Sequence, residues 1–147
     1  MPTTEETMKI SARNILAGKV QEVTKGAVNA QVKLLLEGGE TVVAIITNSS
    51  VESLGLDAGA AACAIVKASE VIVGKSLEGA RISARNVLAG TVAKVHDGAV
   101  NSEVEIKLSG GTTITASITS ESVQMLDLKP GDAVSAIVKA SNVMIGV

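Results

Sequence analysis

The chain has 147 residues, a formal net charge of −2, 46% hydrophobic and 19% charged residues, and no Phe, Tyr or Trp. That length holds one ordinary domain or two very small ones, and the apolar content specifies a globular chain rather than a disordered one. The slightly acidic balance argues against a general nucleic-acid or membrane partner, and the single cysteine, Cys63, leaves no disulfide framework or cysteine cluster for a bare metal cation.

From the start, Met1 to Thr7 is polar and acidic, lacks the basic and apolar regions of a signal peptide, and is expected to be a flexible lead-in. No apolar run approaches the length of a membrane span, so the expected compartment is the cytoplasm. The remainder is one module written twice, expected at residues 8–74 and 80–147. Ser11-Ala12-Arg13-Asn14 returns as Ser83-Ala84-Arg85-Asn86, an offset of 72 (83 − 11). The same offset carries Gly26-Ala27-Val28-Asn29 onto Gly98-Ala99-Val100-Asn101 and Gly38-Gly39 onto Gly110-Gly111. It also carries Thr47 and Ser50 onto Thr119 and Ser122, and Ile65 to Ser69 onto Ile137 to Ser141, without a gap. The boundary falls in Gly74 to Gly79.

The first copy shows its strands with weak alternation; the second shows them clearly. Leu88 to Val95 reads as a strand ending at the turn Asp97-Gly98. Val104, Ile106 and Leu108, then Ile114, Ala116 and Ile118, alternate with polar residues on either side of Gly110-Gly111, which predicts a hairpin. Thr119 to Leu126 has the polar start and apolar spacing of a short helix, and Pro130-Gly131 makes a turn. Ala133 to Ala140 and Val143 to Ile145 read as two last strands. The expected fold class is all-β, with two tandem OB-like five-stranded β-barrel modules, each carrying a short helix. Cores built only from Val, Ile, Leu, Ala and Met in modules this small are marginal alone. Burial between modules or between subunits is expected to supply part of the stability.

No catalytic set repeats. His96 corresponds to Thr24, Cys63 to Ser135, Glu37 to Ser109, Glu52 to Gln124 and Asp57 to Lys129. Without a repeated nucleophile, base or carboxylate pair, no enzymatic activity is expected. Both copies instead keep a set of hydrogen-bond donors: Ser11, Arg13, Asn14, Thr47, Ser50, Lys67 and Ser69, with Ser83, Arg85, Asn86, Thr119, Ser122, Lys139 and Ser141. Donors without unpaired carboxylates suit a tetrahedral oxyanion, which offers only acceptors, and Thr47 and Ser50 sit at a predicted helix start. Each element also has a plainer explanation. Thr47 or Asn48 suits a helix cap, Arg13 and Lys67 suit a solvated surface or an interface ion pair, and Asn14 suits a turn.

Ser-Ala-Arg-Asn, Gly-Ala-Val-Asn, Ile-Thr-x-x-Ser and Val-Lys-Ala-Ser, in that order and twice over, resemble the molbindin (Mop) family in its tandem di-Mop form. The resemblance covers Met8 to Val147. It implies an OB-like barrel per module, also called a TOBE domain, and a homotrimer with six modules around a threefold axis. It also implies cytoplasmic storage and homeostasis of molybdate or tungstate, bound between subunits. One class of oxyanion site is implied at Ser11, Arg13, Asn14, Lys67, Ala68 and Ser69, with Thr47 and Ser50 of a neighbouring chain. The second-copy equivalents are Ser83, Arg85, Asn86, Lys139, Ala140 and Ser141, with Thr119 and Ser122. A second class is implied near the axis, for which Gly26, Ala27, Val28 and Asn29, with Gly98, Ala99, Val100 and Asn101, are candidates.

Some modules of the family have Pro-Trp after Lys-Ala, where this chain has serine followed by Glu70 or Asn142. A carboxylate there repels an anion, which predicts unequal modules. Two alternatives stay open: a sensing or delivery module for a molybdate-responsive regulator or transporter, and an OB-type nucleic-acid binder. The absence of aromatics speaks against the second.

Overall fold

A computed structural model describes residues 8–147; the lead-in expected at residues 1–7 lies outside the described residues. The first repeat forms β1 (Asn14–Lys25), β2 (Asn29–Leu36), β3 (Thr41–Thr47), helix α1 (Asn48–Leu54), β4 (Ala61–Val66), a 3-10 turn (Ala68–Glu70) and β5 (Ile72–Lys75). The second forms β6 (Asn86–His96), β7 (Asn101–Leu108), β8 (Thr113–Thr119), helix α2 (Ser120–Met125), β9 (Ala133–Val138), a 3-10 turn (Ala140–Asn142) and β10 (Met144–Gly146).

Period-2 patterning makes the hairpins. Ala30, Val32, Leu34 and Leu36 of β2, and Ser102, Val104, Ile106 and Leu108 of β7, are buried on the inner face of their sheets, with their neighbours more exposed. The long first strand of each repeat serves two partners. β1 pairs with β4 from Asn14 to Lys19 and with β2 from Gly18 to Lys25, with a bulge between Val20 and Glu22. β6 does the same with β9 and β7, with its bulge between Val92 and Lys94. A bulge bends and twists a strand, which curls a flat sheet toward a barrel.

Repeat and barrel do not coincide in their last strands. The sheets run β10-β4-β1-β2-β3 and β5-β9-β6-β7-β8, so each five-stranded sheet takes its fifth strand from the other repeat. The exchange is exact in register: Met144 faces Ile65 in one sheet, and Ile72 faces Ile137 in the other. Separating the two sheets would strip an edge strand from both, so the pair behaves as one interlocked body.

The junction is sealed by packing and by two asparagines. Leu16, Val42, Val66 and Val71 meet Leu88, Ile114, Val138 and Val143 there, and the buried residues form one continuous core across both sheets. Asn14 and Asn86, only 3% and 2% exposed, lead off β1 and β6 and bond edge strands of the opposite repeat. Asn86 Nδ2 donates to Val43 O and its Oδ1 accepts from Val43 N–H, both at 2.8 Å. Asn14 makes the same ring with Thr115, at 2.8 and 2.7 Å. Each amide stands in for a neighbouring strand on an otherwise unpaired edge. Among the described residues no helix is long and apolar enough to cross a membrane.

Candidate functional site

Strand pairing brings the first donor set together. Asn14 faces Val66 across the β1–β4 ladder, so the residues preceding β1 lie beside those following β4. Ser11, Arg13, Lys67, Ala68 and Ser69 accordingly line one open cavity of about 320 Å³, with Ile10, Ala12 and the exchanged strand's Met144. In the second repeat Asn86 faces Val138, which sets Arg85 beside Lys139 in the same way. Ser11, Arg13, Lys67 and Ser69 are exposed, as are Ser83, Arg85, Lys139 and Ser141. Among the described residues neither Lys67 nor Lys139 has an ion-pair partner. Ala68 and Ala140 are buried, and each opens a 3-10 turn immediately after its lysine.

The remaining candidates are placed elsewhere. Asn14 and Asn86 are spent on the inter-repeat rings rather than presented to the cavity. Thr47 and Ser50 do not line that cavity. Thr47 caps α1, its Oγ1 accepting from Ser50 N–H at 3.0 Å, and Thr119 caps α2, accepting from Ser122 N–H at 3.1 Å. The residue after each cap ties down a candidate loop. Asn48 Nδ2 donates to Gly26 O at 2.9 Å, and the Ser120 hydroxyl donates to Gly98 O at 2.7 Å. The backbone N–H groups of Asn48 and Ser120 bond Val28 O and Val100 O. Loops 26–29 and 98–101 thus sit beside the Thr-x-x-Ser segments, with Val28 and Val100 70% and 74% exposed at their tips. The donors form two groups per repeat: a cationic cluster, which in the first repeat lines a cavity, and a loop with its capped helix.

Sequence reasoning missed the partners of the arginines. Arg13 Nη1 forms an ion pair with the Glu103 carboxylate on β7, and Arg85 Nη1 donates to Gln31 Oε1 on β2 at 2.6 Å. Gln31 and Glu103 are themselves related by the repeat offset, so the same contact is ionic in one copy and neutral in the other. The only signal was an unexplained charge difference at equivalent strand positions. Glu70, expected to repel an anion, has its Oε2 accepting from Asn142 Nδ2 at 2.9 Å, where the two 3-10 turns meet.

Residues 10–73 and 82–145 each match the TOBE domain. The molybdenum-pterin-binding protein MopA of Rhodobacter capsulatus is 43% identical over 139 residues, covering 95% of this chain and 52% of MopA. The molybdenum transport protein ModE of Herbaspirillum seropedicae is 39% identical over 140 residues, covering 95% of this chain and 52% of ModE. The chain therefore spans about half the length of these curated relatives. The molybdate-bound crystal structure of the cytoplasmic molybdate-binding protein ModG is 51% identical, with a TM-score of 0.92 over 95% of this chain and 99% of that one.

Proposed function

The chain belongs to the TOBE-domain family, and we propose that it binds molybdate, with tungstate as a second ligand, for storage and homeostasis in the cytoplasm. One observation carries the reading: Ser11, Arg13, Lys67 and Ser69 converge on one open cavity. A tetrahedral dianion there meets two cationic donors and two hydroxyls, and charge-assisted bonds to such acceptors are the strong ones. Asn14 and Asn86 act at one remove, by fixing where β1 and β6 begin. In this reading three chains assemble, and Thr47 and Ser50 of a neighbour close the open side of the cavity. Loops 26–29 and 98–101 then contribute a second class of site near the threefold axis. In this reading the ion is held without chemical change: the groups lining the cavity are donors, and the one carboxylate beside them, Glu103, is engaged by Arg13.

Selectivity follows from size. Sulfate matches molybdate in shape and charge, so discrimination rests on donors spaced for the longer metal–oxygen bond, each mismatched bond costing roughly 1 kcal/mol. Molybdate and tungstate are expected to bind much more tightly than sulfate or phosphate in competition titrations. Displacement of bound molybdate by equimolar sulfate would reduce the site to a generic anion pocket. Arg13→Ala combined with Arg85→Ala removes two charge-assisted donors, each worth about 1.5–3 kcal/mol. The double variant is expected to lose at least tenfold in molybdate affinity while staying folded. Sedimentation at micromolar concentration tests the trimer, and a monomer alone would remove the intersubunit site.

The resemblance to ModE supports a second reading, as a sensing or delivery unit. Storage is preferred because ModG, a molybdate-binding protein, is 51% identical with a TM-score of 0.92, whereas ModE is 39% identical. The delivery reading requires a molybdate-dependent complex with a regulator or transporter, which a pull-down with and without the ion would reveal.

A further inference from the structure

The two cationic donor clusters differ in one contact. Around the first, Arg13 and Lys67 are accompanied by the carboxylate of Glu103, which holds the Arg13 guanidinium. Around the second, Arg85 stands beside Lys139, and the partner of the arginine is the neutral amide of Gln31. Among the described residues Arg13 is the one ion-pair partner of Glu103. His96 faces it across the β6–β7 ladder, but the His96 ring is bonded to Glu105 at 2.7 Å. Glu70 does not create the same asymmetry, because its carboxylate is turned to Asn142 where the two turns meet.

We infer that the residue facing the arginine, Gln31 or Glu103, sets the relative strength of the two oxyanion sites, with Glu103 acting as a built-in competing anion at the Arg13 site. The inference rests on the molybdate reading above. An incoming dianion at the first site must displace a carboxylate from Arg13 or share the guanidinium with it, and is repelled by that carboxylate in either case. At the second site it displaces only an amide. The first site is therefore the weaker and fills after the second, so these two sites load in two steps over a wider concentration range than identical sites would cover. The Arg13 and Glu103 side chains are 54% and 38% exposed, so solvent and salt screen their interaction. That places the difference at about two- to fivefold rather than at an outright block.

Calorimetric titration of the intact protein with sodium molybdate tests this. The wild type is expected to show two classes of the cavity site, with Arg13→Ala removing the weaker and Arg85→Ala the tighter. Glu103→Gln should tighten the weaker class about two- to fivefold, and Gln31→Glu should weaken the tighter class by a similar factor. The double exchange should restore two classes with their assignment to Arg13 and Arg85 inverted. These effects should shrink at high salt, which a packing role for Glu103 would not produce. Unchanged affinity in Glu103→Gln, or weaker binding, overturns the inference while leaving molybdate binding in place. A wild type that takes up no molybdate overturns the parent reading and this inference with it.

Discussion

The two repeats share a backbone yet solve the same local problems with different chemistry. Helix α1 ends on Gly55, in the left-handed conformation at φ 63°. The equivalent residue after α2 is Asp127, held at φ 48°. Around that second helix end the Lys75 ammonium, at the end of the exchanged strand β5, bonds Leu126 O, Asp127 O and the Asp132 carboxylate. The hydrogen bond from Lys75, reinforced by the Lys129 backbone N–H, holds the Asp132 carboxyl below its ordinary pKa. At the equivalent positions beside the first helix end, Val147 and Ala60 stand where Lys75 and Asp132 do, and neither can form such a clamp. The arginine contacts diverge in the same manner. Most positions that face the core are small or aliphatic in both repeats because both barrels bury the same face, with exchanges such as Ala62 for Val134 and Val42 for Ile114. Exposed polar positions tolerate change at little cost. Duplication thus conserved the scaffold more strictly than the electrostatics, and equivalence of fold does not make the two sites equal.

Removing the junction asparagines should break the comparison most strongly. Asn86→Ala leaves both polar groups of Val43, a residue 7% exposed, without partners, at a cost of about 2–4 kcal/mol. Asn14→Ala exposes the same groups of Thr115, which is half-buried, so water replaces part of the loss and the cost is about 1–2 kcal/mol. Urea denaturation of the two variants measures the difference, and equal losses would mean that the two rings are energetically the same.

The meeting of the hairpin turns comes next. A Cβ on Gly110 would lie 1.9 Å from the backbone oxygen of Gly38, which cannot move aside as a side chain can. A Cβ on Gly38 meets first the Glu40 and Thr112 side chains, at 2.6 and 2.7 Å. Gly110→Ala should therefore destabilise by about 1–3 kcal/mol, and Gly38→Ala by less. Thermal unfolding that ranks them the other way would show that this contact relaxes freely.

The smallest effect sharpens the contrast between helix ends. Asp127→Gly relieves a left-handed non-glycine residue but surrenders the exposed pair with Lys129, for a net gain of about 0.5 kcal/mol. Gly55→Ala should cost about 1 kcal/mol, because alanine pays for the left-handed conformation without compensation. A stabilised Gly55→Ala variant would contradict the assignment of that residue as a helix cap.

The sequence by itself determined the duplication, the hairpins, the short capped helices and the donors that recur in both copies. These are reported by local patterns: period-2 alternation, glycine turns, and identical residues at one offset. It also placed the Ser-Ala-Arg and Lys-Ala-Ser segments in one candidate set, and antiparallel pairing of β1 with β4 makes them neighbours in space. Three matters were decided only by the tertiary structure. Which barrel receives β5 and which receives β10 is not encoded locally, because Val71-Ile72-Val73-Gly74 and Val143-Met144-Ile145-Gly146 fit the same slot in the same register. Asn14 and Asn86 look like ordinary donors until an edge strand of the opposite repeat, 101 or 43 residues away in sequence, is brought against them. The charge state around each arginine depends on residues 90 and 54 positions distant, a separation at which no sequence period carries information about contact.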